Sequence, residues 1–248
     1  MTAKKRNNRN KRHPRGGHYT FSIAGPHGVG KSTAFRYLER KYGARDDHWY
    51  FLPERLREVP PVPFGSKDPQ VAFLAEIHFI QQMVERNEKI AKVQQRHPYL
   101  VTVVDRTPAC VLVYTEALGF KEDSVEFSLI HDLYNSVRWQ EDFVLYLEAS
   151  LETIAERILR RGKLVPERVG WNEEDFDYLR RVLALYEKYL RKPWLKHKVV
   201  RVDTEGLRKE EVAKEVEGII LERSQYGRYG TGRLKTASLV QFLSKTTT

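Results

Sequence analysis

With 248 residues, 41% of them hydrophobic and 31% charged, the chain carries a formal net charge of +10 at pH 7. That length and apolar content suffice for one globular domain with a buried core; no apolar run approaches a membrane span, and the N-terminus lacks the apolar centre of a signal peptide. The lone cysteine, Cys110, excludes an internal disulfide and points to a cytoplasmic protein, with Cys110 itself expected to be buried and inert.

The positive charge belongs to the two ends. Residues 1–17 hold Lys4, Lys5, Arg6, Arg9, Lys11, Arg12 and Arg15 without an acid, and residues 224–248 hold Arg228, Arg233, Lys235 and Lys245, again without one. Residues 18–223 are left with 32 basic against 33 acidic side chains, a nearly neutral body. The chain therefore divides into a basic tail at 1–17, expected to be disordered, a catalytic domain at 18–223, and a basic C-terminal extension at 224–248. Such tails can gather near nucleic acid by releasing counterions, or can be solvated extensions without a partner. Leu239, Val240, Phe242 and Leu243 in the extension are candidates for docking on the body or on a partner.

The first predicted strand is Tyr19-Thr20-Phe21-Ser22-Ile23-Ala24, followed by Gly25-Pro26-His27-Gly28-Val29-Gly30-Lys31-Ser32 and a helix beginning at Thr33. The glycine-rich stretch fits G-x-x-x-x-G-K-[ST] in the strand–loop–helix setting that gives the pattern meaning. Gly25, Gly28 and Gly30 let the backbone wrap a phosphate closely, so that amides from His27, Val29 and Thr33 point inward at the start of a helix. Lys31, expected to be an exposed loop lysine, would neutralise the terminal phosphates of ATP, and Ser32 would ligate Mg2+.

The helix should run to about Tyr42 and stop at Gly43. Trp49-Tyr50-Phe51-Leu52 reads as a short aromatic strand ended by Pro53, with Glu54 at its tip. A proline-marked loop follows, then a long helix from Val71 to about Gln95, with Phe73, Ile77, Ile80 and Val84 at helical spacing. Leu100 to Val104 is an apolar run expected to be covered on both faces, and it ends at Asp105-Arg106-Thr107-Pro108. Two helices over 109–118 and 122–138, separated by Gly119, lead to a strand at Phe143–Leu147. An Arg-rich helix over 150–161 breaks at Gly162, and a loop at 162–172 precedes a helix over 173–191. A strand at 198–202 and a helix at 208–223 complete the body.

Strands alternating with helices imply a three-layer α/β/α architecture around a five-stranded parallel sheet, whose ligands gather beyond the carboxyl ends of the strands. Three groups fall there: the phosphate loop, Glu54, and Asp105-Arg106. Asp105 can hold Mg2+ or cap the next helix. Arg106 suits a transferring phosphate, because its fork matches phosphate oxygens, or else forms a surface ion pair. Glu54 tilts the reading toward a neutral hydroxyl acceptor, which needs a carboxylate to take its proton; an anionic phosphate acceptor would be repelled by one. Arg157, Arg160, Arg161, Lys163 and Arg168 flank the loop at 161–172, with Arg157, Arg160 and Arg161 on one helical face. They read as a lid closing over triphosphate.

This order resembles the P-loop NTPase group of thymidylate kinases and deoxynucleoside kinases over most of 19–221. The resemblance implies ATP-dependent phosphoryl transfer to a nucleoside 5′-hydroxyl or a nucleoside monophosphate, and often a homodimer. It maps Glu54 to the general base of the deoxynucleoside kinases. Asp105-Arg106-Thr107, Tyr114 and Gly119 resemble the thymidylate kinase side, whereas the segment from Tyr146 through Arg157 to Arg161 resembles the nucleoside kinase lid. Glu76 stands where nucleoside kinases read the base with a Gln, unless it is a surface residue. Ile77 stands about where thymidylate kinases place an Arg for the acceptor phosphate.

Two further readings stay open on the residues alone. One is a kinase for the 5′-hydroxyl of RNA or DNA ends, held by the basic tails. The other is a nucleotide-gated protein that binds nucleic acid without catalysis.

Overall fold

The side chains of the central strands alternate between two apolar environments, and this alternation builds the layers. Phe21 and Ile23 of the first strand and Leu145 and Leu147 of the fourth face one side; Val144 and Tyr146 face the other. All six are essentially excluded from solvent, so truncating any of them to alanine should cost roughly 2–5 kcal/mol.

The structure, a computed structural model, describes residues 17–44, 46, 48–54, 66, 68–96, 100–162 and 175–224, with Leu100, Arg161 and Gly162 described as backbone only. The order is β1 (His18–Ala24), α1 (Lys31–Tyr42), β2 (Trp49–Leu52), α2 (Pro69–Arg96), β3 (Leu100–Asp105), α3 (Ala109–Ala117) and α4 (Val125–Ser136). It continues with β4 (Phe143–Glu148), α5 (Leu151–Gly162), α6 (Phe176–Leu190), β5 (Val199–Asp203) and α7 (Lys209–Ser224). The sheet runs β2-β3-β1-β4-β5, and every pairing is parallel. Helices α1, α5 and α7 cover one face, with α1 packed on α7; α2, α3, α4 and most of α6 cover the other. The predicted strands and helices all appear, with ends displaced by a few residues at most.

Gly43 does end α1, but in right-handed geometry (φ −62°), its amide donating to Glu39 O, rather than as a left-handed cap. Of the expected tail at 1–17, lid at 161–172 and extension at 224–248, residues 1–16, 163–172 and 225–248 lie outside the described residues. Cys110 is buried, and burial pushes its thiol up from the ordinary range, as an inert cysteine requires.

From β1 the chain moves out to β2 and back to β3, then crosses to β4 on the opposite side. The reversal leaves a crevice beyond the end of β1, the position at which open α/β sheets hold ligands.

Candidate active site

Strand register brings the candidate residues to one level. Ile23 pairs with Asp105, Leu52 with Val104, and Ala24 with Tyr146. Two steps beyond Leu52 and Val104 stand Glu54 and Arg106, and one step beyond Ala24 stands Gly25. The phosphate loop, Glu54 and the Asp105-Arg106 pair therefore leave three adjacent strands side by side.

Gly25, Gly28 and Gly30 all have positive φ (138°, 81° and 102°), a region that side chains with a Cβ rarely enter. At Gly25 the constraint is also steric, because a Cβ would lie 2.3 Å from Leu147 O. Gly25→Ala should consequently destabilise the fold by about 2–4 kcal/mol and abolish ATP binding, read by thermal unfolding and nucleotide titration. Val29 is fully buried in the core, so it can serve a phosphate only through its amide. His27 is buried with its ring edge-on to Tyr114. Helix α1 starts at Gly30 with no side-chain cap and no acid in its first turn, leaving its positive end for an anion, and Ser32 is exposed there.

Lys31 is not the exposed lysine expected from the motif. It is 7% exposed, and its Nζ donates to Pro26 O at 2.6 Å, curling back under the loop. Burial, aided by the Arg106 charge, lowers it to about 8. Asp105 is buried, with Oδ1 lacking a hydrogen-bond partner among the described residues. Burial and the neighbouring Glu54 carboxylate raise its pKa, against the pull of Arg106, Lys31 and Arg86. Asp105 does not cap α3, whose N-cap is Pro108 without a side-chain bond.

Arg106 forms an ion pair through Nε with Glu54 Oε1 at 2.5 Å, the two side chains being only 15% and 9% exposed. That burial removes it from the class of screened surface pairs. Its guanidinium also lies over the Tyr114 ring, 5.2 Å from the centroid. Arg106 has φ +70° and is the one non-glycine residue with positive φ among those described. Backbone of this kind costs on the order of 1–3 kcal/mol and persists where surrounding contacts enforce it.

Glu76 is buried at 2% exposure, which overturns the surface reading. Burial raises its carboxyl to about 8, with Arg106 and Thr115 opposing the shift. Arg157 turns away from its helical neighbours: its guanidinium donates to Thr204 Oγ1 (3.0 Å), Thr204 O (2.6 Å) and Leu207 O (3.4 Å), bracing the loop after β5. Arg160 pairs with Glu156 on the solvated face of α5. The shared cationic face expected of these two arginines is thus divided between a loop and a surface pair. The side chain of Arg161 lies outside the described residues.

Arg86 was not singled out in the sequence. It lies on the same buried stripe of α2 as Phe79, Met83 and Ile90, and a charged residue on such a stripe is the signal that marks it. Glu141 is likewise buried, its carboxyl raised by burial, with Ser22 and Thr107 as partners that pull it back.

The chain matches the deoxynucleoside kinase family over residues 21–223. A deoxyadenosine kinase of Lactobacillus acidophilus is 26% identical over 188 residues, spanning 69% of this chain and 77% of its own. Among solved structures, a deoxyadenosine kinase from M. mycoides with products dCMP and a flexible dCDP bound aligns with a TM-score of 0.62 at 19% identity, covering 82% of this chain and 99% of that one. A second structure of that enzyme, with bound dATP, gives 0.59 at 21% identity over 82% and 98%. A thymidylate kinase from Candida albicans gives 0.61 at 18% identity over 84% and 93%. With the phosphate loop, Glu54 and Arg106 assembled at adjacent strand tips and the family match running through all five strands, the chain belongs to the deoxynucleoside kinase family and is a nucleoside kinase, a phosphotransferase.

Proposed function

We propose that the acceptor is the 5′-hydroxyl of a free deoxynucleoside and that Glu54 is its general base. The observation that carries this is the buried Glu54–Arg106 pair beside the phosphate loop. A carboxylate at the acceptor side takes the hydroxyl proton as the oxygen attacks. Arg106, with its charge held by Glu54, stabilises the phosphoryl group in flight, and Lys31 leaves Pro26 O to meet the terminal phosphates of ATP. Arg161, at the end of α5, is assigned to the closing lid, while Arg157 serves ATP indirectly by bracing the loop after β5. Ile77, where an acceptor-phosphate arginine would stand, packs against the apolar core, which favours a nucleoside over a monophosphate.

The orphaned Asp105 Oδ1 and the exposed Ser32 hydroxyl fit Mg2+, which when bound would neutralise triphosphate charge. The basic ends are assigned no part in transfer to a free nucleoside. A homodimer, implied by the resemblance, and nucleic-acid contact through the ends belong to the same proposal.

Glu76 is assigned to the base. As a neutral acid it offers one donor and one acceptor; as a carboxylate it only accepts. Both forms can accept from the amino group of adenine or cytosine, whereas only the neutral form can donate to the O4 carbonyl of thymine. Preference for deoxyadenosine or deoxycytidine over thymidine, read as the ratio of kcat/KM, should therefore sharpen as pH rises through about 8. Glu76→Gln should flatten that dependence. The same group sets a stability trend. Its folded pKa lies above its ordinary 4.5, so the stability it contributes is full below about 4.5 and is lost as pH rises through about 8. The melting-temperature advantage of Glu76→Gln over wild type should grow across that window, by an amount equivalent to a few kcal/mol.

The experiment is a panel of the four deoxynucleosides, their monophosphates and 5′-hydroxyl oligonucleotides with labelled ATP, with and without residues 1–17. Label transferred to free nucleosides, unchanged by the deletion, is the expected result. Transfer only to oligonucleotides, lost on deletion at moderate salt, would replace the proposal with a polynucleotide kinase.

A further inference from the structure

Arg86 is 4% exposed, and its guanidinium is directed at main chain. Nη2 donates to Asp105 O at 2.8 Å and to Arg106 O at 3.2 Å, while Nε finds no hydrogen-bond partner among the described residues. These two carbonyls stand where β3 ends; that of Asp105 is buried and that of Arg106 part-buried, and an acceptor withdrawn from water needs a donor. Between them the chain makes the left-handed step at Arg106 (φ +70°), whose amide is tied to Ile23 O at 3.0 Å. One arginine from α2 thus grips both sides of the single strained non-glycine residue in the described chain. That step sends the Arg106 side chain back across the strand tips to Glu54 and Tyr114.

We propose that Arg86 is a positioning residue for phosphoryl transfer: by holding the Asp105 and Arg106 carbonyls it fixes the turn that sets Arg106 against Glu54. Its contacts are with the two carbonyls that flank Arg106, and it acts through the Arg106 side chain. Releasing the turn lets Arg106 relax to the right-handed or extended region, and the guanidinium swings away from the phosphate path. Displacements of about 1 Å at a reacting group can cost about a hundredfold in rate. The inference rests on the kinase reading, so its test carries a readout independent of turnover.

Arg86→Met and Arg86→Ala are compared with wild type for kcat, KM for ATP, thermal unfolding, and amide exchange at Arg106 and Thr107. Expected are a loss in kcat of about a hundredfold, KM for ATP changed less than about threefold, and faster exchange confined to the turn. Guanidinium at sub-denaturing concentration should restore part of the activity of Arg86→Ala. In an Arg106→Ala background, Arg86→Met should cost less than about twofold further, because its effect runs through the missing side chain. Should the Met and Ala variants fail to fold, Arg86→Lys, which keeps the charge but reaches fewer carbonyls, should show a partial loss of kcat with the same confined exchange. Near-wild-type kcat in a folded variant, full additivity with Arg106→Ala, or unchanged exchange at the turn overturns the inference. An inactive wild type would instead sink the kinase reading, and the exchange data would still decide whether Arg86 holds the turn.

Discussion

Lys31→Ala is expected to lower kcat about a thousandfold or more while the protein remains folded. The lysine is buried, so its removal is not free of structural cost: Pro26 O loses its donor, a deficit of about 1–3 kcal/mol. That is a minority of the 5–15 kcal/mol typical of a domain, and removing a desolvated cation returns part of it. Transfer has no such reserve, since a phosphoryl group in flight depends on fixed positive charge around it. The wild-type pH profile carries the same residue's signature. Lys31 is held near 8, so kcat/KM for ATP should fall as pH rises past about 8 and the ammonium loses its proton. Glu76→Gln, which removes the other group titrating there, should leave that limb in place. Turnover within tenfold of wild type in folded Lys31→Ala, checked by circular dichroism and steady-state assay, would remove this lysine from the site.

Glu54→Gln should reduce kcat by about a hundred- to ten-thousandfold, with KM for the nucleoside changed little. The amide is nearly isosteric and keeps an oxygen facing Arg106, so the turn at the strand tip should stay in place. What it lacks is basicity: the 5′-hydroxyl has nowhere to send its proton as the oxygen attacks. A structural Glu54 predicts a different pattern, in which affinity and turnover fall together and the melting temperature drops. Breaking a buried ion pair from one side can cost 3–5 kcal/mol. A Gln variant with wild-type kcat would assign proton removal to another group, with Asp105 the other carboxylate at the same strand tips.

Much of this architecture could be read along the chain because local signals agreed with one another. The glycine pattern after an apolar run placed the phosphate loop, and positive φ at Gly25, Gly28 and Gly30 shows why those positions are glycine. Apolar runs at 100–104 and 143–147 located the two strands beside β1. Their continuity meant burial on both faces, hence a parallel sheet, hence a site at the carboxyl ends. Glu54, Asp105 and Arg106 were found by that logic alone.

Depth and partnership were not legible in the same way. Lys31 looked exposed because glycine-rich loops are surface features; only the fold shows it tucked under Pro26. Arg157 and Arg160 share a helical face by spacing, yet one braces Thr204 and Leu207 across the sheet edge while the other pairs with Glu156. Arg86 could have been flagged as a charge on an apolar stripe, but its targets are carbonyl groups, which leave no trace in side-chain identity.

By itself the sequence determined which backbone stretches would be strands, which loop has the phosphate-loop pattern, and which candidate residues stand at the strand tips. Those follow from properties of near neighbours: periodicity, glycine freedom and the hydrogen-bonding needs of a helix start. Only the tertiary structure decided that Glu76 is buried beside Arg106, that Glu54 and Arg106 share a solvent-poor pair, and that Arg86 spans the strained turn. The reason is physical: desolvation and charge pairing depend on groups dozens of residues apart meeting across strands, and their energies exist only once that meeting has excluded water.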